Sequence, residues 1–440
     1  MEPLDRWIEH QYRHSARALL RSVSPVGIVK VRPGFGRTVT PHKGSIVASP
    51  VLGAYDPEPD YFFHWYRDSA IVVDALRMLF EDTSVDIDAL SHFADFVRFS
   101  LSLRELDGRA LSRSSSWRDA VAPDFRQYVR TDEDLSAVHG EAVAGETRVN
   151  PDGTLDISKW PRPQNDGPVA RAITLLRWRH STRFDGELSP AVDALLRADL
   201  EFTRRHWREP CFDIWEEEKG LHYYTLRLAC AALEAGAKWH EQRGEVVDAA
   251  ACRSDASAIL HILDGYWRED AQFYRSRVLE SNAATLKELD ISVIFAALHA
   301  DGSGATHSVR DPRMHATLAK LEALFDAEYA INRNRGARAP AMGRYAGDVY
   351  YSGGAYYFST LAAAEFCFRA ALELPAMNGL VERGDAFLET VRTFTPAGGE
   401  LSEQFDQRTG AQTSAQQLAW SYAAFVSCVE ARRRVIRRSV

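Results

Sequence analysis

Residues 213–224 read Asp-Ile-Trp-Glu-Glu-Glu-Lys-Gly-Leu-His-Tyr-Tyr, and from Tyr223 an apolar run, YYTLRLACAALEAGAKW, continues with helical spacing. Three carboxylates, Glu216, Glu217 and Glu218, therefore stand just ahead of an expected helix, where the helix dipole favours negative charge. Taken alone, the triplet is a solvated acidic lead to that helix. Its aromatic neighbours Trp215, Tyr223 and Tyr224 point to a ligand instead. Rings cover the CH faces of a sugar, and carboxylates accept hydrogen bonds from its hydroxyls. The same arrangement, an unusual segment opening a helix, recurs at YFFHWYRDSA (61–70), WPRPQNDGP (160–168), GRYAGDVYYSGG (343–354) and LSEQFDQRTGAQTSAQ (401–416).

Periodicity predicts helices near 5–23, 68–82, 87–104, 167–182, 188–207, 222–243, 246–264, 284–300, 310–330, 355–373, 377–394 and 413–434. The unusual segments open the second, fourth, sixth, tenth and twelfth of these. The segment before the eighth, ESNAATLKELD, is less distinctive. If consecutive helices run antiparallel, every second helix starts at the same end of the molecule. Six hairpins closed in a ring then gather these loops around one mouth. The expected fold is all-α, an (α/α)6 barrel of about twelve helices with long irregular loops at the active-site end. A solenoid of hairpins would alternate in the same way, but the chain has no fixed-period repeat. Strand candidates are confined to residues 27–52. Two irregular stretches, 25–66 and 105–166, are of the length that usually carries function. The absence of a Pro/Gly/Ser-rich linker leads to an expectation of one domain over 1–440.

The 440 residues are 45% apolar, enough for a large core, and 11% aromatic, as a carbohydrate site requires. A formal charge of −8 gives no electrostatic case for nucleic acid. The basic tail ARRRVIRRSV suits the last turn of a C-terminal helix. No window approaches about 18 consecutive apolar residues, so no membrane partner is expected. Five scattered cysteines without a CxxC suggest buried thiols in a reducing compartment. The first twenty residues lack the apolar core of a signal peptide, and a cytoplasmic location is expected. No HExxH, P-loop or nucleophile elbow occurs, and the fourteen histidines do not cluster at metal-ligand spacing. No cofactor and no metal are expected. A short GSG at Gly302 reads as a loop.

Each motif has a local reading. Asp68 is a plausible helix N-cap. WPRPQNDGP is a turn-rich loop, and Glu403 is an acid near the start of the last helix. These readings leave the aromatic density and Arg67 unexplained. Taken together and in order, the segments resemble glucoamylases, the inverting family 15 glycoside hydrolases, over about residues 43–436. YFFHWYRD is similar to the motif whose Tyr, Trp and Arg-Asp pair hold the terminal glucose, here Tyr61, Trp65, Arg67 and Asp68. GETRVNPDGT and WPRPQNDGP resemble the segment that presents a stacking Trp, here Trp160. Trp215-Glu216-Glu217 is similar to the segment in which the first Glu is general acid and the second binds the next sugar. Glu218 falls where the family varies and is expected to be solvated. Arg344 and Tyr350 match a binding Arg and a pocket Tyr. Beyond them the chain reads Gly354-Ala355-Tyr356 where Asn-Pro-Trp is common, so weaker stacking of a sugar is expected there. LSEQFDQRTGAQTSAQQLAWSYAA resembles the base segment, with Glu403 as catalytic base and Trp420 in the pocket.

The resemblance implies two carboxyls about 6.5–9.5 Å apart, one protonated and one activating a water between them. Glu216 is expected to be raised by its aromatic surroundings and Glu403 to stay ionised. The implied activity is release of β-D-glucose from non-reducing ends of small soluble α-gluco-oligosaccharides. Isomaltose, dextran oligosaccharides or trehalose are alternative substrates of the same scaffold. A glycan-binding α/α protein without catalysis is a non-enzymatic alternative, opposed by the presence of both Glu216 and Glu403. The sequence leaves the oligomeric state open.

Overall fold

The computed structural model of the chain describes residues 2–439 apart from 56, 83–86, 115, 182, 185, 281–284 and 301–303. The GSG loop at Gly302 lies outside the described residues. Among the described residues the longer helices are α1 (Leu4–Leu20), α2 (Tyr66–Glu81), α3 (Ala89–Leu103), α4 (Asp166–His180), α5 (Ser189–His206), α6 (Tyr223–Gln242), α7 (Val246–Asp264), α8 (Ser292–Ala300), α9 (Pro312–Glu328), α10 (Tyr357–Glu373), α11 (Leu380–Phe394) and α12 (Ala419–Ser439). Each answers to one of the helices expected from periodicity.

The even-numbered helices close a ring. α2 packs on α4, α4 on α6, α6 on α8, α8 on α10, α10 on α12, and α12 returns to α2. The odd-numbered helices lie outside: α3 on α2, α5 on α4, α7 on α6, α9 on α8, α11 on α10 and α1 on α12. This is the (α/α)6 barrel. Composition follows position. α10 is buried at every residue from Tyr357 to Phe368, as a helix enclosed on all sides must be. α1 buries one stripe, including Ile8, Tyr12, Ala16 and Leu19, and leaves its other face to solvent. Close crossings need small residues. A Cβ on Gly167, in the first turn of α4, would sit 2.5 Å from the Tyr66 Cβ of α2.

The segments preceding the inner helices are stitched together by backbone bonds. Ala419 N–H donates to Ala48 C=O at 2.8 Å, Ile291 to Arg344 at 2.9 Å and Phe212 to Pro163 at 2.9 Å. Trp65 pairs with Arg148 in a two-residue antiparallel ladder.

Several local expectations are corrected. Residues 30–32 and 37–39 do form a hairpin inside the expected window, but most strands lie elsewhere. Cys211–Phe212, Lys219–His222 and Arg277–Leu279 make a three-stranded sheet, so the acidic triplet sits in a hairpin turn, with a strand between it and α6. α8 starts at Ser292 and not at 284, which lies outside the described residues. Leu286–Glu288 is a 3-10 turn, and Asp290 pairs as an extended residue with Tyr345. The last helix starts at Ala419 because Gln404–Phe405 pairs with Gln412–Thr413. Glu403 thus enters a hairpin and is no helix-capping acid. Likewise α2 begins at Tyr66, so Asp68 lies inside its first turn and does not cap it.

Candidate active site

The turn at 213–218 is built by Asp213. Its buried carboxylate accepts from the Glu217 N–H at 2.8 Å, and its C=O accepts from the Glu216 N–H at 2.9 Å. Asp side chains favour such turns because they satisfy the backbone two to four residues on. Glu216 is held at φ +65°, a left-handed conformation uncommon for a residue with a side chain. That conformation turns its carboxylate inward. Trp65 Nε1 donates to Oε1 at 2.8 Å, Arg67 Nη2 donates to the same oxygen at 3.3 Å, and Trp160 Nε1 donates to Oε2. The aromatic surroundings expected around Glu216 therefore meet it with N–H edges.

Glu216 lies in a pocket of about 460 Å³ whose lining includes Tyr61, Trp65, Asp68, Arg344, Glu403 and Trp420. Arg67 also lines it and bridges three carboxylates: Asp68 at 3.1 Å, Asp166 at 3.3 Å and Glu216 at 3.3 Å. Burial raises the Asp166 carboxyl to about 6 and also raises Asp68, in both cases against the pull of Arg67. The floor is a stack of rings. Phe358 and Trp420 lie 4.6 Å apart at 10°, and Trp215 lies 6.4 Å from Trp420 at 17°. Trp215 Nε1 is anchored on Asp290 at 2.8 Å.

Glu403 faces the pocket from the hairpin ahead of α12. Its Oε2 accepts from Ser414 at 2.5 Å and its Oε1 from Tyr61 at 3.5 Å. Tyr61 also bonds Tyr350, hydroxyl to hydroxyl, at 2.7 Å. Burial pushes the Glu403 carboxyl up to about 7, opposed by the Ser414 bond and Arg344. Glu403, expected to stay ionised, is thus raised by its burial. Tyr61 packs on Trp65 with ring centroids 5.2 Å apart, so two touching rings link the two carboxylates.

Glu217 lies on the outer side. Arg344 donates to its Oε1 at 3.1 Å, while Tyr345 and Lys287 each donate to Oε2 at 2.5 Å. Arg344 is fixed by two bonds of 2.6 Å to Asp348. Glu218, expected to be solvated, is 26% exposed and is also paired with Arg277 at 2.8 Å. Tyr356 is fully buried and donates to Asp348 at 2.9 Å, so it stands behind Arg344 and offers no face to a sugar.

The structure brings together all the residues expected at the site: Tyr61, Trp65, Arg67, Asp68, Trp160, Trp215, Glu216, Glu217, Arg344, Tyr350, Glu403 and Trp420. Sequence reasoning missed Asp166, Lys287, Asp290, Tyr345, Phe358 and Ser414. Asp166 lay inside a quoted motif, WPRPQNDGP, and Tyr345 beside Arg344. Ser414 likewise lay inside LSEQFDQRTGAQTSAQ, while Lys287, Asp290 and Phe358 lie in stretches without a chemical signature of their own. Among the described residues, a group with metal-ligand spacing, His240, Glu245 and Asp248, lies at the α6–α7 junction and not in this pocket. No described helix is long and apolar enough to cross a membrane.

The chain is similar to known proteins. The family model of glycosyl hydrolases family 15 matches residues 127–381 and 375–430. Glucoamylase 1 of Rhizopus oryzae is 25% identical over 96% of this chain and 70% of its own length. A probable glucoamylase of Schizosaccharomyces pombe is 27% identical over 99% of this chain and 93% of its own length. Among solved structures, the family 15 glucoamylase from Hypocrea jecorina superposes with a TM-score of 0.79 at 23% identity, covering 98% of this chain and 73% of that one. A family match over most of the length, on a barrel shared with a solved glucoamylase, makes this protein a glycoside hydrolase of glycosyl hydrolases family 15.

Proposed function

We propose that the protein releases β-D-glucose from the non-reducing ends of short α-gluco-oligosaccharides, with Glu216 as general acid and Glu403 as general base. The observation that carries this reading is the placing of both carboxylates on one ring-floored pocket with different partners. Glu216 gives its proton to the glycosidic oxygen and becomes an anion. Two indole N–H groups and Arg67 already point at that anion, so they bind it more tightly after the transfer than before. Glu403 takes a proton from the attacking water. A base poised near 7 both accepts and returns a proton readily at neutral pH. Asp68 and Arg67 hold the hydroxyls of the terminal glucose over Trp420, and Glu217 with Arg344 holds the leaving sugar. Trp160 covers that sugar's face.

The whole of 1–440 serves as one catalytic domain in this reading. Five buried, unpaired cysteines support a reducing, cytoplasmic setting. The test is glucose release from maltose by the wild type, Glu216→Gln and Glu403→Gln. Each variant should fold and lose on the order of 10²–10⁴ in turnover. NMR of the nascent sugar should show the β anomer. Wild-type turnover in either variant would remove that residue from its role, and an initial α anomer would remove inversion.

A further inference from the structure

The two indoles that meet Glu216 share a partner with no role so far. Arg148 stands directly across the short ladder from Trp65. Its guanidinium carbon lies 3.6 Å from the ring centroid of Trp160, 4.8 Å from that of Trp65 and 4.0 Å from that of Phe63. Trp65 and Trp160 meet edge to face, with centroids 6.3 Å apart at 78°, and Arg148 lies against both rings. Its side chain is only 4% exposed and is anchored from behind. Nε donates to Asp156 at 2.9 Å and Nη2 to Ser158 Oγ at 3.2 Å. Asp156 is itself fixed by the Ser158 N–H and hydroxyl and by Arg162. Arg148 lies behind the rings and outside the pocket lining.

We propose that Arg148 is a positioning residue for the proton-donating carboxyl: it fixes the planes of Trp65 and Trp160 so that both N–H groups converge on Glu216. The proposal rests on reading Glu216 as the acid. An indole N–H lies in the ring plane, so a small ring rotation swings it off the carboxylate, and hydrogen bonds weaken steeply with angle. A guanidinium is planar and weakly hydrated, and it stacks flat on indole faces while its edge bonds Asp156. A lysine keeps the charge but has no plane to stack.

The experiment compares two substrates that differ in their need for an acid. The leaving group of maltose, the O4 of the second glucose, is a poor alkoxide and needs the proton. In α-D-glucosyl fluoride the departing fluoride needs little protonation. In Arg148→Met, kcat on maltose should fall about ten- to hundredfold, a part of what general acid catalysis contributes. KM should stay within about threefold, and kcat on the fluoride should stay within about threefold of wild type. Arg148→Lys should fall between Met and wild type on maltose. Equal losses on both substrates, a raised KM at unchanged kcat, or unchanged maltose turnover would each overturn the proposal.

A second readout does not need turnover. In protein labelled with 15N-tryptophan, two indole N–H signals should move in Glu216→Gln, and the same two should move in Arg148→Met or, if that variant folds poorly, in Arg148→Lys. Signals that stay in place would overturn the positioning role. Retained maltose turnover in Glu216→Gln would instead sink the acid assignment, and with it the catalytic half of this proposal.

Discussion

Glu403→Gln should make the protein more stable at pH 8 while removing its activity. The Glu403 carboxyl is 8% exposed, and burial moves it from its ordinary 4.5 to about 7. The folded state therefore keeps this proton to higher pH than the unfolded chain does. Between those two values the folded state binds more protons, so stability falls as pH rises. The loss begins near pH 4.5 and is complete above about pH 7. At about 1.4 kcal/mol per pH unit, it amounts to about 3 kcal/mol. Glutamine carries no charge, can still accept from Ser414, and can donate its amide to the Tyr61 hydroxyl. An unfolding entropy of about 2.1 cal/mol/K per residue over 440 residues converts about 3 kcal/mol into roughly 3 °C. Calorimetry should find Glu403→Gln about 3 °C above wild type at pH 8 and level with it at pH 4.5 or below. A variant melting at or below wild type at pH 8, or an offset equal at both pH values, would refute the reasoning. The expected result would show a site that gives up stability to keep its base buried.

Three further outcomes follow from the same geometry. The acidic limb of kcat/KM on maltose should fall off as pH drops through about 7, because Glu403 must be ionised to act as base; a limb near pH 4 would place the base elsewhere. Lys287→Met should raise KM for maltose several-fold with little change in kcat, since Lys287 holds Glu217 and touches no reacting bond; a fall in kcat at constant KM would contradict this. Because Tyr356 is buried and gives no platform, kcat/KM should rise less than about tenfold, roughly 1.4 kcal/mol, from maltose to maltoheptaose. The same series with isomaltose and trehalose ranks the linkages, and a larger rise with chain length would reveal further subsites.

The barrel was legible because two signals agree along the whole chain. Helical spacing marks the helices, and chemically unusual segments precede five of the six inner ones. α1 adds a third signal, a clear one-sided stripe, whereas α10 is buried on all sides from Tyr357 to Phe368. The short strands were not legible. Cys211–Phe212 and Lys219–His222 are too brief to show alternation, so the acidic triplet read as a lead to a helix. The one local sign of the turn was Asp213, a residue that commonly folds the backbone onto its own carboxylate.

What the sequence could not show is that burial raises Glu403. Aromatic residues around Glu216 suggest an apolar wall. Ring type does not reveal whether a face or an edge meets the carboxylate, and here the edges do. That choice is made by residues distant in the chain, whose role no motif announces. The Arg148 guanidinium lies over the rings of Trp65 and Trp160, whose N–H edges are left to Glu216. For Glu403 the deciding fact is the hairpin, which buries the side chain against Ser414 and Tyr61. Lys287 and Asp290 act in the same way on Glu217 and Trp215, through ion pairs and bonds that span tens of residues. The motifs thus name the groups that meet at the pocket. Their charge and orientation are set from behind, by residues whose roles depend on the closed ring.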